Sequence, residues 1–358
     1  MNYLTADHRI VLLMHEGTDN PGGKTGLAIL RYSPLNIVAV VDQAQASQSL
    51  KTLTGIDRDV PIVASVAAAM IYQPTVLTIG IAPSGGALPA PWYQEVQTAI
   101  AAGLSVVNGL HTPMANDPQL TLAMGPQQWI WDVRQAPTHL PIGSAAARTL
   151  ACRRVLPVGT DMAIGKMSTN LELHRLALQQ GLRSKVIATG QTNLMLGDDG
   201  IPLDTIPVDF AAGAVEQQVM RYGDDHDILF IEGQGSLFHP GSTATLPLMR
   251  GSQPTHFILV HRAGQSHIRN HPNVKIPSLR EAIAICETIA SAGGGFVPAK
   301  VVGVALNTQG VHEKVAQNAI QVIEQETQLP CTDVIRFGAE PLLAGILGAP
   351  IPTVDEPI

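Results

Sequence analysis

Val155-Leu156-Pro157-Val158-Gly159-Thr160-Asp161-Met162-Ala163-Ile164-Gly165-Lys166-Met167-Ser168-Thr169 runs from an apolar strand through a glycine-rich turn into a helix. That order builds a phosphate cradle, in which backbone N–H groups and a helix N-terminus face an oxyanion and Lys166 adds a mobile positive charge. The stretch departs from G-x-x-x-x-G-K-[ST] in two places. Gly159 stands one residue early, and Met167 takes the position of the hydroxyl that binds a metal ion. Leu173, Leu176 and Ala177 mark the core face of the helix that follows, and Gly181 marks its stop.

Outward from the cradle, strands near 153–158, 185–189, 227–232, 256–261 and 301–306 alternate with helices near 167–180, 209–222, 278–291 and 312–326. The alternation predicts a doubly wound parallel sheet. In the first half, apolar or β-branched runs at 10–14, 37–42, 76–82 and 104–108 alternate with segments that can be helical, the pattern of another parallel α/β unit. No G-x-G-x-x-G follows its first strand, so a nicotinamide site is not supported. The strand ends at Ala82 to Gly86 and Asn108 to His111 stand where open α/β sheets bind ligands, and read equally as ordinary turns. Between the halves, Ala136 to Ala147 is rich in Pro, Gly, Ser and Ala and reads as a linker.

One echo of the cradle lies near the start of the chain. Gly17-Thr18-Asp19-Asn20-Pro21-Gly22-Gly23-Lys24-Thr25 repeats the Gly-Thr-Asp opening and the Gly-Lys spacing, again after an apolar run. Its helical segment meets Pro34 after about two turns, which limits the helix dipole. The second copy is therefore read as the nucleotide-type cradle and the first as at most an accessory anion site.

At 358 residues the chain is long enough for about two domains of roughly 150 residues each. A charged fraction of 14% and a formal net charge of −7 argue against a nucleic-acid or membrane surface, so anionic ligands need local cationic pockets. The longest apolar stretch, Ile62 to Tyr72, falls short of the roughly 20 residues of a membrane span. The run Ile10 to Met14, preceded by Asp7, His8 and Arg9, is too short for a secretory signal. Cys152, Cys286 and Cys331 are too few and too widely spaced for a disulfide framework or a C-x-x-C knuckle. Cytoplasmic residence is the expectation, with a symmetric homo-oligomer as the default for a soluble enzyme.

Three further strand ends carry candidate chemistry. Ile228 to Ser236 is an apolar strand ending in Glu232 and two glycines. There Glu232 either holds a metal-bound water or acts as a base, its proton affinity set by Lys166 against desolvation, unless it only caps the next turn. Val302 to Thr308 places Asn307 to read a purine edge or to close a turn. Ala188 to Asn193 offers Gln191 and Thr192, donors suited to a carboxylate-bearing small molecule. Asp198, Asp199 and Asp204 beyond it read as a solvated loop. His239, His261, His267 and His271 with Arg262 and Arg269 make the most cationic neighbourhood, a pocket for an anionic substrate or tail phosphate, with His239 and Arg262 as binding residues. His267 and His271 have the spacing of two helical zinc ligands, but Pro272 follows at once and no H-E-x-x-H glutamate accompanies them.

Gly159-Thr160-Asp161 with Gly165-Lys166 and Glu232-Gly233-Gln234-Gly235 resembles the dethiobiotin synthetase branch of P-loop proteins, which couples ATP to carboxylate chemistry. A wider set covers nearly the whole chain: Lys24-Thr25-Gly26 with Arg31-Tyr32, Asp132-Val133-Arg134, the cradle through Met167, Ala188-Thr189-Gly190-Gln191-Thr192, and Ile231 to Ser236. Together these resemble the DgcN family, long known only as a domain of unknown function and associated with D-glutamate N-acetyltransferase activity. The resemblance implies a Rossmann-like domain over 1–143 and a P-loop NTPase-like doubly wound α/β domain over 144–358.

The implied reaction, part of D-amino acid metabolism, moves acetyl from acetyl-CoA as co-substrate to the amine of an acidic amino acid, plausibly D-glutamate. Gly159, Thr160, Asp161, Ala163, Ile164, Gly165, Lys166, Met167, Ser168 and Thr169, with Asn307, would bind the donor. Lys166 and Glu232 would be catalytic, Glu232 taking a proton from the attacking ammonium while backbone N–H groups hold the oxyanion. Met167 discriminates between donors. A P-loop ATPase needs a hydroxyl directly after its lysine for Mg²⁺, and Ser168 is rotated from that position by about 100°; acyl transfer needs no metal. The alternatives are a carboxylate ligase or kinase using ATP with Mg²⁺ held by Asp161, Ser168 and Glu232, and a nucleotide-binding module without turnover.

Overall fold

The computed structural model describes residues 4–83 and 86–352. Ser84 and Gly85, in one of the strand-end turns singled out above, lie outside them. The chain forms two compact units. One runs to Gln135 and takes in Gln191–Gly197; the other comprises Ala136–Gly190 and the chain from Asp198 onward. The sequence reading divides the chain once, at 143/144, whereas here a short segment returns to the first unit.

The first unit is a parallel sheet of β1 (Arg9–Leu13), β2 (Asn36–Val41), β3 (Ile62–Val63), β4 (Val76–Ile79), β5 (Ser105–Asn108) and β6 (Ile130–Asp132) in the order β3-β2-β1-β4-β5-β6. This is the order of dinucleotide-binding Rossmann folds. Helices α1 (Lys24–Tyr32), α2 (Leu50–Thr54), α3 (Val66–Ala69), α4 (Ala90–Ala101) and α5 (Pro118–Thr121) connect the strands. α1 stops where Ser33 turns extended before Pro34, which disfavours the helical region for its predecessor. The two strands that the hydrophobic pattern misses, β3 and β6, are too short to show a period.

The second unit carries β7 (Arg153–Gly159), α6 (Lys166–Gln179) and β8 (Ser184–Ile187). After them α7 (Gln191–Leu196) belongs to the first unit. The second unit resumes with α8 (Val208–Gly223), β9 (Ile228–Ile231), α9 (Thr245–Ser252), β10 (His256–Arg262), β11 (His267–Ile268), β12 (His271–Lys275), α10 (Leu279–Ser291), β13 (Lys300–Asn307), α11 (Glu313–Thr327), β14 (Cys331–Thr332) and α12 (Glu340–Gly348). Its main sheet is parallel in the order β14-β13-β10-β7-β9-β8, with β11 and β12 as a separate antiparallel hairpin. β7 is buried along nearly its whole length, as a central parallel strand must be. Its two neighbours therefore flank the cradle on opposite sides: β10 on one, with Val260 opposite Gly159, and β9 on the other.

Two helices escaped the sequence pattern because prolines interrupt it. α9 contains Pro247 and α12 contains Pro341, each within the first turns, where a missing N–H costs little. The Pro- and Gly-rich stretch 136–147 is part of the second unit. Ser144 and Ala146 donate backbone N–H groups to the Glu216 carboxylate of α8, at 2.8–3.2 Å. Among the described residues no helix is long and apolar enough to cross a membrane.

Candidate functional site

The turn after β7 is held by its own residues and by both flanks. Thr160 donates its N–H to Val260 O, and its Oγ1 stands 2.8 Å from His261 Nδ1. Asp161 Oδ1 accepts the Met162 N–H at 2.6 Å, while Oδ2 accepts Gln265 Nε2 at 2.6 Å and the Arg269 N–H at 2.8 Å. Ala163 (φ 54°) and Gly165 (φ 122°) take left-handed conformations that bend the chain tightly enough for α6 to start at Lys166.

Lys166 is only 6% exposed and folds back over the turn, where Nζ donates to Asp161 O at 2.9 Å. A Cβ at position 159 would stand 2.9 Å from that ammonium, so the early glycine makes the room the lysine fills. A Cβ at position 233 would lie 1.9 Å from Pro157 O and 3.1 Å from Lys166 Cδ, so the turn after β9 closes on the lysine stem. Ser236 Oγ ties the same turn to Gly159 O at 2.8 Å. Behind Lys166, Met167 and Ser168 are half-buried, and the Thr169 hydroxyl donates back to Gly165 O at 3.1 Å.

On the β9 flank, Glu232 is buried and its Oε2 accepts the N–H groups of Thr189 and Gly190, each at 2.9 Å. The acid therefore caps the turn after β8, not the turn that follows its own strand, and is held at the cradle by doing so. Asp198 joins it. A parallel bridge pairs Ala188 with Gly200, and Ala188 donates its N–H to Asp199 O, which folds the 198–200 segment against the end of β8. Burial, and then the Glu232 charge, push the Asp198 carboxyl up to about 7. Asp198 is thus no member of a solvated loop, and only this non-local bridge reveals it.

On the β10 flank, Met162, Ala163, Ile164, Arg262, Gln265, His267 and Arg269 line a cleft of about 270 Å³. His261, counted in the sequence as part of this cationic neighbourhood, is not a cation, because burial pushes its imidazole down to about 4. His239 packs edge-on against His271, ring centres 5.0 Å apart, and its Nδ1 accepts the Gly241 N–H. His267 and His271 lie on opposite strands of the hairpin rather than on one helical face, since Asn270 turns the chain at φ 66° between them. Asn307 has both ends of its amide engaged, Nδ2 by Ile164 O at 2.9 Å and Oδ1 by the Gln309 N–H at 3.0 Å, so it braces the cradle instead of facing a base.

Gln191 and Thr192, expected to bind substrate, are on α7 in the first unit. There the Thr192 hydroxyl meets the Thr25 hydroxyl at 3.1 Å, and Gln191 Cγ lies 3.3 Å from where a Cβ on Gly109 would be. The first Gly-Thr-Asp loop is closed by its own unit. Asp42, at the end of β2 where dinucleotide-binding folds keep their ribose-binding acid, accepts the Glu16 and Thr18 N–H groups and the Thr18 hydroxyl. Asp132 and Arg134 are likewise engaged, Asp132 by Asn108 Nδ2 and the Met114 and Ala115 N–H groups, Arg134 by Gly109 O.

Comparison with known proteins agrees with this architecture. Residues 141–343 match the model of a domain of unknown function described as the DUF1611 C-terminal P-loop domain, and residues 43–136 match its N-terminal Rossmann-like domain. A D-glutamate N-acetyltransferase of Tritonibacter scottomollicae is 36% identical over 265 residues, 74% of this chain and 78% of that protein. One from a Pseudoalteromonas species is 32% identical over 75% of this chain and 80% of its own. The crystal structure of a DUF1611 family protein from Anabaena variabilis is 60% identical, superposes with a TM-score of 0.93, and matches 96% of this chain and 100% of that one.

Proposed function

Since the chain belongs to the DUF1611 family, we propose that it is an N-acetyltransferase that moves acetyl from acetyl-CoA to the amine of an acidic amino acid, D-glutamate first among the candidates. The observation that carries the reading is the buried Lys166 ammonium folded over a left-handed turn whose other groups are poorly arranged for Mg²⁺. Met167 supplies no hydroxyl, and both Asp161 carboxylate oxygens already accept N–H groups. A metal ion at Asp161 would have to break the latch to the β11–β12 hairpin. Phosphate held by a lysine and backbone N–H groups needs no such metal. The names of the two D-glutamate N-acetyltransferases support the acyl-transfer chemistry.

In this reading the cradle fixes the donor's phosphates and thereby places its thioester. The acceptor nitrogen attacks the thioester carbonyl carbon; the C–N bond forms, the C–S bond breaks, and the sulfur leaves as the thiolate of coenzyme A. The acceptor's ammonium gives one proton to the carboxylates of Glu232 and Asp198 before it attacks, and the second N–H proton, released as the amide forms, goes to the departing thiolate. Asp198, titrating at about 7, is poised to exchange a proton near neutrality, while Glu232 is oriented by two N–H donors.

The test is a panel of D- and L-amino acids incubated with acetyl-CoA, with and without EDTA, and read by mass spectrometry. The reading predicts an N-acetylated acidic amino acid formed equally well in EDTA. ADP released in a Mg²⁺- and carboxylate-dependent manner would make the chain a ligase or kinase instead, and the absence of any product would make it a binding module.

A further inference from the structure

The cleft on the β10 flank has a composition that the transfer step itself does not require. The chain carries a net charge of −7, yet two arginines, Arg262 and Arg269, line this one cleft. Among the described residues, the ion pairs of this unit, Arg175–Glu172, Arg183–Asp227, Lys185–Asp199 and Lys300–Glu287, involve neither Arg262 nor Arg269. Gln265, which also lines the cleft, keeps its Oε1 buried without a hydrogen-bond partner, and a buried acceptor left so is unfavourable until a donor arrives. Two guanidinium groups call for an anion and the orphan acceptor calls for a hydroxyl.

Position decides which part of which ligand this is. Because β10 and β9 border β7 on opposite sides, the cleft lies across the cradle from Glu232 and Asp198. A donor whose pyrophosphate rests on Lys166 and whose reacting end points toward the carboxyls directs its other end into the cleft. At about 270 Å³ the cleft is below the roughly 300–1,000 Å³ of a pocket for a whole small ligand, and takes a fragment. The cradle and the cleft are also mechanically one, since Asp161 Oδ2 holds both Gln265 and Arg269.

We propose, resting on the donor assignment above, that this cleft binds the 3′-phosphorylated ribose of coenzyme A. Arg262 and Arg269 grip the phosphate, the ribose 2′-hydroxyl donates to Gln265 Oε1, and Met162 to Ile164 form the apolar floor. Arg262 then serves the donor, not the acidic acceptor to which its sequence neighbourhood pointed. The cleft selects a nucleotide with a 3′-phosphate over ATP and over 3′-dephospho-coenzyme A.

Calorimetric titration of the full chain with coenzyme A and with 3′-dephospho-coenzyme A tests this. Wild type should bind the phosphorylated form about tenfold or more tightly. Arg262→Ala and Arg269→Ala should each bring coenzyme A toward the dephospho value and leave dephospho-coenzyme A unchanged, whereas Lys166→Ala should weaken both. Equal affinity of wild type for the two forms overturns the cleft assignment and leaves the acetyltransferase reading standing. Retained discrimination in both arginine variants, with a raised KM for the amino acid, overturns it in favour of an acceptor site. Binding of neither form, with binding of Mg·ATP, overturns the donor assignment and the cleft assignment together.

Discussion

At 17–24 and again at 159–166 a strand gives way to Gly-Thr-Asp, three more residues and then Gly-Lys at the start of a helix. In the first loop, protein groups occupy the places an anion would use. Gly26, in the first turn of α1, donates its N–H to Gly80 O at 2.7 Å, and Lys24 is exposed. Thr25, which has the hydroxyl that Met167 lacks, is buried against Thr192. In the second loop the lysine is buried over the turn and the aspartate reaches out to a hairpin. A phosphate-loop spelling therefore does not make a phosphate site; what decides is whether a carbonyl from elsewhere in the fold already caps the helix.

The largest expected separation between the loops is in their lysines. Lys166→Ala should lower kcat/KM by about 10²-fold or more, the scale of losing one preorganised donor to developing or bound negative charge. Lys24→Ala should stay within about twofold. Comparable losses in the two variants would dissolve the distinction.

The glycines before the lysines separate next, because each loop needs its glycine for a different reason. A Cβ on Gly23 would stand 1.9 Å from Gly17 O, a backbone clash that cannot be relieved by a rotamer change. Gly23→Ala should lower stability by about 1–3 kcal/mol, seen as an earlier melting transition with donor affinity preserved in the folded protein. At Gly165 a Cβ would meet nothing closer than 3.6 Å, but φ is +122°. Gly165→Ala should therefore cost about 1–3 kcal/mol as strain, and the re-aimed N–H groups should weaken donor binding as well. Calorimetry on both variants distinguishes a packing glycine from a ligand-loop glycine.

A smaller effect concerns Asp198. With its carboxyl at about 7, turnover should rise as pH passes through neutrality and the carboxylate forms. Asp198→Asn should flatten that limb of the pH–rate profile and slow turnover by about tenfold at pH 8. A limb that stays in place excludes Asp198 from the proton path.

The smallest effect is acid stability. The second loop leans on His261 through Thr160, and burial holds His261 at about 4 in the folded protein against 6.5 when unfolded. Below pH 6.5 the unfolded chain takes up the proton and the folded one does not, so this contribution to stability is complete above 6.5 and is lost as pH falls toward 4. His174 and His256, also held at about 4 by burial, act in the same direction. Melting temperature followed from pH 7.5 to 4.5 should fall, and should fall less steeply in His261→Gln.

Much of this was legible in the residues because it is local. The cradle, its helix and the acid after β9 are contiguous strings in which strand, turn and helix chemistry follow one another. What was not legible depends on chain returning from far away. Asp161 is paired with Gln265 and Arg269 by a hairpin whose strands are two and five residues long. Asp198 reaches Glu232 through a single bridge at Ala188 and Gly200. The closed state of the first loop is set by a carbonyl at Gly80, which carries no side-chain signature at all.

The most direct test is calorimetric titration of wild type and Lys166→Ala with acetyl-CoA in EDTA and with Mg·ATP. Acetyl-CoA should bind wild type without metal, and Lys166→Ala should lose this binding. Binding of Mg·ATP with none of acetyl-CoA, or acetyl-CoA binding untouched by Lys166→Ala, would contradict the donor assignment.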